Sequence, residues 1–152
     1  MNAPWDTTIF APDLDALRRR RAELFESMAG LRQALAAPAS GRLAAWRNRV
    51  VLALAELSAD VHGHLAVTEG PEGLHHDVVE VAPRLSYAVG RLTAEHAVLV
   101  DLLDGMRAWA PAGPVDAVRA LGAELLDRLD RHRRREAELV FEAYETDIGG
   151  ET

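Results

Sequence analysis

The chain has 152 residues, no cysteine, 49% apolar residues and a formal net charge of −7 at pH 7. The length suits one domain with a core of its own, and the absence of cysteine excludes disulfides, thiolate metal sites and thiol redox chemistry. The acidic balance argues against a role in nucleic-acid binding, and the alanine- and leucine-rich composition indicates an all-helical protein.

The N-terminal segment MNAPWDTTIF contains neither a basic stretch nor a long apolar core, so we expect no signal peptide. Nowhere does the sequence have the ~18–20 uninterrupted apolar residues of a membrane span. Its two basic runs, Arg18 to Arg21 and Arg131 to Arg135, lie beside acidic residues, as on a solvated helix face. We therefore expect a cytoplasmic protein with no membrane or nucleic-acid partner.

Proline and glycine clusters divide the chain into helical stretches. Residues 1–12, with Pro4 and Pro12, predict an irregular lead-in to a single domain over residues 13–150. Helices are predicted at about 13–36, 41–68, 83–109 and 115–146, with room for a short helix in 72–82. Short loops between long helices favour antiparallel neighbours, so the sequence predicts an all-α, antiparallel up-down four-helix bundle.

Each long helical stretch carries one apolar stripe whose residues are three or four apart, which places them on one helix face. The four stripes are Leu14, Leu17, Arg21, Leu24, Met28, Leu31 and Leu35; Trp46, Val50, Ala53, Leu57, Asp60 and His64; Leu85, Val89, Leu92, His96, Leu99, Leu103 and Met106; and Val118, Leu121, Leu125, His132, Glu136 and Leu139. Every stripe is interrupted by an ionisable residue. Such a group is costly in an apolar interior unless it is paired, hydrogen-bonded or bound to metal, so these interruptions are the main functional indication.

Histidines and carboxylates at the interruptions are candidate metal ligands. His132 and Glu136 are four residues apart, so a nitrogen and a carboxylate from successive turns can bind one ion. His96 is surrounded by leucines on its stripe. Each has an alternative to metal binding. His96 can be a neutral, hydrogen-bonded core histidine, and His132 with Glu136 can be an exposed pair at the edge of the second basic run. The other histidines fall off the stripes and are expected on the surface or in a loop: His62, His75 and His76.

The second helix offers two candidate ligands, because Asp60 and His64 are also four residues apart. At ~1.5 Å per residue, His96 and His132 lie about 20–27 Å from the loop at their end of the bundle. By the same count Asp60 lies about 28 Å and His64 about 34 Å from the loop at that end. Unless loop lengths or kinks absorb the difference, Asp60 is the contribution of this helix, and the choice between the two stays open.

Three segments resemble the hemerythrin-like (HHE cation-binding) domains, which are four-helix bundles with a non-haem di-iron centre. They are HLAVTE at residues 64–69, RLTAEHAVL at 91–99 and RHRRREAELVFEAYETDIGG at 131–150, the last being similar to actinobacterial members. The resemblance implies metal ligands at His64, Glu69, His96, His132 and Glu136. It also implies a degenerate site, since Arg21 stands where the first-helix histidine is expected and Thr68 is the residue four positions after His64.

The resemblance implies a protein that binds non-haem iron, in a mono- or dinuclear centre, or another divalent metal, with dioxygen, peroxide or nitric oxide as the ligand that is bound or sensed. The alternative is a metal-free bundle in which Arg21 takes the place of the cation and pairs with nearby carboxylates. That protein would be a scaffold, a regulator or a small-ligand binder. Neither interpretation identifies a substrate or decides whether the protein is an enzyme, and both allow a monomer or a homodimer.

Overall fold

Helices make up nearly all of the part of the chain that the structure describes, which is residues 11–70 and 72–147. This computed structural model has no strand in those residues. Its helices are α1 (Ala11–Ala36), α2 (Leu43–Thr68), α3 (Leu74–Val81), α4 (Ser86–Trp109) and α5 (Val115–Phe141). A 3-10 turn at Pro83–Leu85 leads into α4, and a π-helical turn at Glu142–Asp147 extends α5. The predicted all-α class is confirmed.

The four long helices, α1, α2, α4 and α5, form a closed bundle. Helix α1 packs on α2 and α5, and α4 packs on the same two helices. Short connections at residues 37–42 and 110–114 join α1 to α2 and α4 to α5, which makes the helices of each pair antiparallel neighbours. One face of each long helix therefore meets a common interior.

Apolar side chains from all four long helices fill this interior. Leu31, Leu54 and Val118 have no exposed surface, and burying such a side chain contributes ~1.5–3 kcal/mol. The predicted stripes supply most of the core. The prediction that Arg21 and Leu121 face the core is wrong, since both side chains are exposed. They lie at the edges of their stripes, where the 3.6-residue period turns a side chain towards solvent.

The first helix begins two residues before its predicted start at about residue 13. Ala11 and Pro12 already belong to α1, and proline is tolerated in a first helical turn because its missing N–H has no partner there. The rest of the predicted lead-in, residues 1–10, lies outside the described part of the chain. The short helix for which residues 72–82 left room is α3.

Helix α3 packs on α4, on α2 and on the π-helical turn after α5. Val78 of α3 and Ala82, the residue after this helix, are buried in a second apolar cluster with Val89 of α4 and Ala143 of that turn. The cluster is distinct from the main core, so α3 is held by apolar contacts of its own. One side of this short helix is thereby turned towards the interior of the bundle.

Within the described residues, α2 alone is long and apolar enough to pass for a membrane span by length and composition. A helix that is buried in the core of a bundle can be equally long and apolar. Trp46, Val50, Leu54 and Leu57 of α2 are all buried in the main core.

Replacing Leu54 with alanine is expected to destabilise the protein by about 2–5 kcal/mol, because a side chain with 0% exposure would leave a cavity between the helices. Leu52, on the same helix, is 64% exposed, and Leu52→Ala is expected to change the free energy of unfolding by less than about 0.5 kcal/mol. Urea unfolding followed by circular dichroism measures both variants. Equal effects would contradict the orientation of α2.

Candidate metal centre

Four buried polar side chains converge between three of the long helices. His64 comes from α2, His96 from α4, and His132 and Glu136 from successive turns of α5. Each offers one potential ligand atom, and these four atoms all lie within 4.8 Å of one another. None of the four residues is more than 5% exposed. Four of the six predicted stripe interruptions therefore meet at one point of the interior.

The spacing of these atoms is that of a coordination shell. Nε2 of His64 lies 3.0 Å from Oε1 of Glu136, and Nε2 of His132 lies 3.7 Å from Oε2 of the same carboxylate. Nε2 of His96 lies 2.9 Å from Nε2 of His132. With metal–ligand bonds of about 2.0–2.2 Å, adjacent ligands on one ion are roughly 3 Å apart.

Carboxylates hold the outer nitrogens of two of the imidazoles. Nδ1 of His96 lies 2.6 Å from Glu69, and Nδ1 of His132 lies 2.7 Å from Glu95. Arg135 binds Glu95 through contacts of 2.6 and 2.7 Å, which keeps that carboxylate ionised. An ionised carboxylate only accepts hydrogen bonds, so each Nδ1 is the N–H donor.

The tautomer that follows makes the inner face of the cluster electron-rich. A neutral imidazole with its proton on Nδ1 has a lone pair on Nε2. The two Nε2 atoms of His96 and His132, 2.9 Å apart, then present lone pairs to each other beside the Glu136 carboxylate. Such an arrangement is stable only when a proton or a metal cation lies among the lone pairs.

The pKa shifts of Glu136 and His132 also indicate that positive charge is favoured here. Burial alone would raise the pKa of Glu136, but the surrounding imidazoles, His132 foremost, lower it far below its usual range. Burial would lower the pKa of His132, but Glu136 and Glu95 outweigh it and raise that pKa. Burial lowers the pKa of His96 to about 4. The hydrogen bond that His96 donates to Glu69 opposes this shift, and repulsion from His132 adds to it. Without metal, a proton is therefore held more readily by His132 than by His96.

His64 is the least satisfied member of the cluster. It is 4% exposed, and neither of its ring nitrogens makes an oriented hydrogen bond. Its Nε2 is close to Glu136, but the direction of that contact lies outside hydrogen-bond geometry. A buried polar atom without a partner costs about 1–3 kcal/mol. Binding a cation at Nε2 would give it one.

Glu69, the fifth predicted ligand, does not join the cluster. It is the residue that ends α2, its side chain is 38% exposed, and it lies on the outer side of His96. Asp60, the other candidate on α2, instead accepts a hydrogen bond from Ser27 of α1. Of the two candidates left open on this helix, the structure brings His64 to the centre.

Arg21 does not supply the predicted positive charge, because its side chain is exposed. The neighbouring Arg20 is the arginine that reaches towards α2. A methyl group on Gly63 would lie 2.8 Å from Nη1 of Arg20, so this guanidinium covers the outer surface of α2. The part of the alternative interpretation that puts Arg21 in place of the cation is therefore wrong.

One histidine that was expected on the surface or in a loop lies at the centre. His75, on α3, is 6% exposed, and its Nε2 lies 2.9 Å from Oε2 of Glu136. Its neighbour His76 is half-exposed and pairs with Glu80 on the same helix. The spacing of His75, Val78 and Ala82, in steps of three and four, is the sequence signal that would have placed His75 on the buried face of a short helix.

A small cavity adjoins the imidazoles on the side facing α1. Its walls are the side chains of Leu24, Val61, Leu99 and Leu129 together with three of the cluster histidines. Its volume is about 10 Å³, which is roughly the room that one water-sized molecule needs. The cluster thus faces a small, mostly apolar pocket that admits only very small ligands.

A sequence model of the hemerythrin HHE cation-binding domain matches residues 12–144 of this chain. The protein belongs to the hemerythrin HHE family. Neither the curated proteins nor the solved structures contain a match to the chain. For a member of this family, a buried cluster of three imidazoles and one carboxylate is a donor set compatible with metal binding.

The metal-free protein is expected to lose stability as the pH falls from about 6.5 to about 4. Over this range the unfolded chain takes up a proton at His96 and the folded protein does not, so stability falls by up to about 1.4 kcal/mol per pH unit. The raised pKa of His132 acts in the opposite direction, since its contribution is complete below pH 6.5 and is lost as the pH rises through the folded value.

Urea unfolding of chelator-treated protein at pH 5.0 and pH 6.5 measures this difference. His96→Gln removes the buried titrating group and is expected to flatten the dependence, because glutamine takes up no proton in either state. A wild-type protein that is equally stable at both values would show that His96 is not held neutral.

Proposed function

We propose that this protein binds one divalent transition-metal ion, iron foremost, through Nε2 of His64, His96 and His132 and the carboxylate of Glu136. We propose further that the bound ion holds a diatomic ligand, dioxygen or nitric oxide, which the protein carries or senses. The observation that carries the proposal is the 2.9 Å approach of two imidazole Nε2 atoms whose protons are committed to the outer nitrogens.

A proton on Nε2 of His132 can be donated to Nε2 of His96 and so satisfies both facing nitrogens, whereas a metal ion would also give Nε2 of His64 a partner. The inner atoms comprise three nitrogens and a carboxylate of very low proton affinity, within 4.8 Å of one another. A cation of charge two in this position neutralises Glu136 and partners both nitrogens of the His96–His132 contact. It also gives a partner to Nε2 of His64, which has none.

The outer carboxylates suit the same function. A histidine that binds a metal usually donates its other N–H to a carboxylate or carbonyl, which fixes the ring and increases its basicity. Glu69 and Glu95 do this for His96 and His132. We therefore assign Glu69 to the orientation of His96 rather than to direct metal binding. Imidazole and carboxylate together favour iron, manganese or zinc over magnesium or calcium.

The adjoining cavity supports the choice of a diatomic ligand. When bound, the ion supplies an open coordination position at which a small molecule can bind. The leucine and valine walls keep bulk water out of that position, and a volume of about 10 Å³ excludes larger molecules. Peroxide, with the same two heavy atoms, fits less well because it is more polar and the walls beyond the histidines are apolar except at Arg133.

Protein loaded anaerobically with ferrous iron and then desalted is expected to contain one iron per chain by elemental analysis. His96→Ala and His132→Ala are each expected to lose the metal, because either change removes one of the two facing nitrogens. His62→Ala is the control, since His62 is exposed on α2 and bonds the backbone oxygen of Ser58. Wild-type protein that remains folded and retains no iron would overturn the proposal.

Leu24→Phe is expected to abolish nitric oxide binding to the ferrous protein while leaving the iron content unchanged, because the larger ring fills the cavity. Anaerobic titration with nitric oxide, followed by visible absorption, measures this. Leu17→Phe is the control, since Leu17 is also buried on α1 but does not line the cavity. Overpacking costs about 1–3 kcal/mol in either variant, so both are compared at a temperature where they are folded. Undiminished nitric oxide binding in Leu24→Phe would rule out this pocket.

A further inference from the structure

We propose that His75, supplied by the short helix α3, is a further ligand of the metal ion and takes the place of the histidine that the first helix lacks. This assignment rests on the metal-binding function proposed above. The juxtaposition that carries it is the 2.9 Å contact between Nε2 of His75 and Oε2 of Glu136, inside the bundle.

His75 is buried beside the four-residue cluster and contacts it through Glu136 and His96. It is 6% exposed, and its ring stacks on that of His96 with centroids 5.1 Å apart and an interplanar angle of 21°. Its Nε2 approaches Oε2 of Glu136, and Oε1 of the same carboxylate faces His64. Glu136 therefore lies between the two imidazoles, with one oxygen directed at each.

The hydrogen bonding of His75 repeats that of His96 and His132. Its Nδ1 lies 2.8 Å from Oγ1 of Thr93, and the Thr93 hydroxyl donates its own proton to the Val89 carbonyl at 3.1 Å. With that proton committed, Oγ1 accepts from Nδ1–H of His75. With a ring proton on Nδ1, Nε2 of His75 faces the Glu136 carboxylate at 2.9 Å, a contact that a proton or a cation between the two atoms would complete.

The turn before α3 fixes the distance between His75 and the end of α2. Gly70 has φ +99°, a left-handed conformation that favours glycine, and Gly73 precedes the first residue of α3. A methyl group on Gly73 would lie 2.5 Å from the Thr68 carbonyl oxygen and 2.6 Å from that of Glu69. The start of α3 is therefore packed backbone to backbone against the end of α2.

The sequence gives the cluster no histidine from the first helix, because the first histidine in the chain is His62. The stripe of α1 contributes Leu24 to the cavity wall instead. With His75 the donor set has five members, drawn from α2, α3, α4 and α5. The position facing α1 is then the one left for the small ligand.

Titration of chelator-stripped, full-length protein with Co²⁺, followed by visible absorption and by competition with a chelator, tests the assignment. His75→Ala is expected to weaken Co²⁺ binding by about 100-fold or more, beyond the effect of losing an outer hydrogen bond. The visible bands are expected to become more intense, since losing a ligand lowers the coordination number. His76→Ala, one residue away on the exposed face of α3, is the control and is expected to match the wild type.

His75→Gln separates a ligand from a residue that merely holds Glu136 in position. The glutamine amide can still donate a hydrogen bond to Oε2 of Glu136, but it is a poor metal ligand. If His75 binds the metal, this variant loses affinity as His75→Ala does. Circular dichroism of the metal-free variants shows whether each is folded, and glutamine is the variant to use where alanine does not fold.

The outcomes distinguish this inference from the function on which it rests. Wild-type protein that binds Co²⁺, with His75→Gln within about threefold of it and an unchanged spectrum, would show that His75 only positions Glu136; it would overturn the inference and leave the metal function intact. A folded wild-type protein that binds no Co²⁺ would overturn both.

Discussion

The structure depends on a group of lone pairs that cannot be left facing one another in an apolar interior. His96 and His132 meet at their Nε2 atoms, and Glu136 lies beside them. Leucines surround the group, so water does not screen it, and the effective interaction between such groups is stronger than at the surface. Positive charge must therefore enter with the fold, either as a proton on His132 or as a bound cation.

The same constraint explains the distribution of acidic residues around the centre. Glu136 is buried, whereas Glu69 and Glu95 stand at the margin of the bundle and hold the outer nitrogens of His96 and His132. Arg135 balances the charge of Glu95 at the surface. By fixing the protons on the outer nitrogens, the marginal carboxylates direct the lone pairs inward. Glu69 and Glu95, at the margin of the bundle, are thus the reason why the interior needs a positive charge.

The fold and four of the cluster residues were accessible from the sequence for one reason. A helix repeats every 3.6 residues, so an ionisable residue on an apolar stripe must face the core. His96, His132 and Glu136 follow this rule. His64 follows it too. The distance along the helix from the loop favoured Asp60 instead, but that distance takes no account of differences in loop length or of kinks. Arg21 failed the rule since it sits at the edge of its stripe, where a long side chain reaches solvent.

The sequence by itself determined an all-α bundle of the hemerythrin type, because periodicity, breakers and family motifs are all local properties of the chain. Only the tertiary structure decided which polar groups meet. Glu69 is near His64 in sequence, yet the end of α2 carries it to the outer side of His96. His75 lies in a segment too short for a clear periodic signal, yet contacts 61 residues apart bring it to Glu136. Such long-range contacts depend on how α3 packs against the other helices, which a local sequence pattern does not predict.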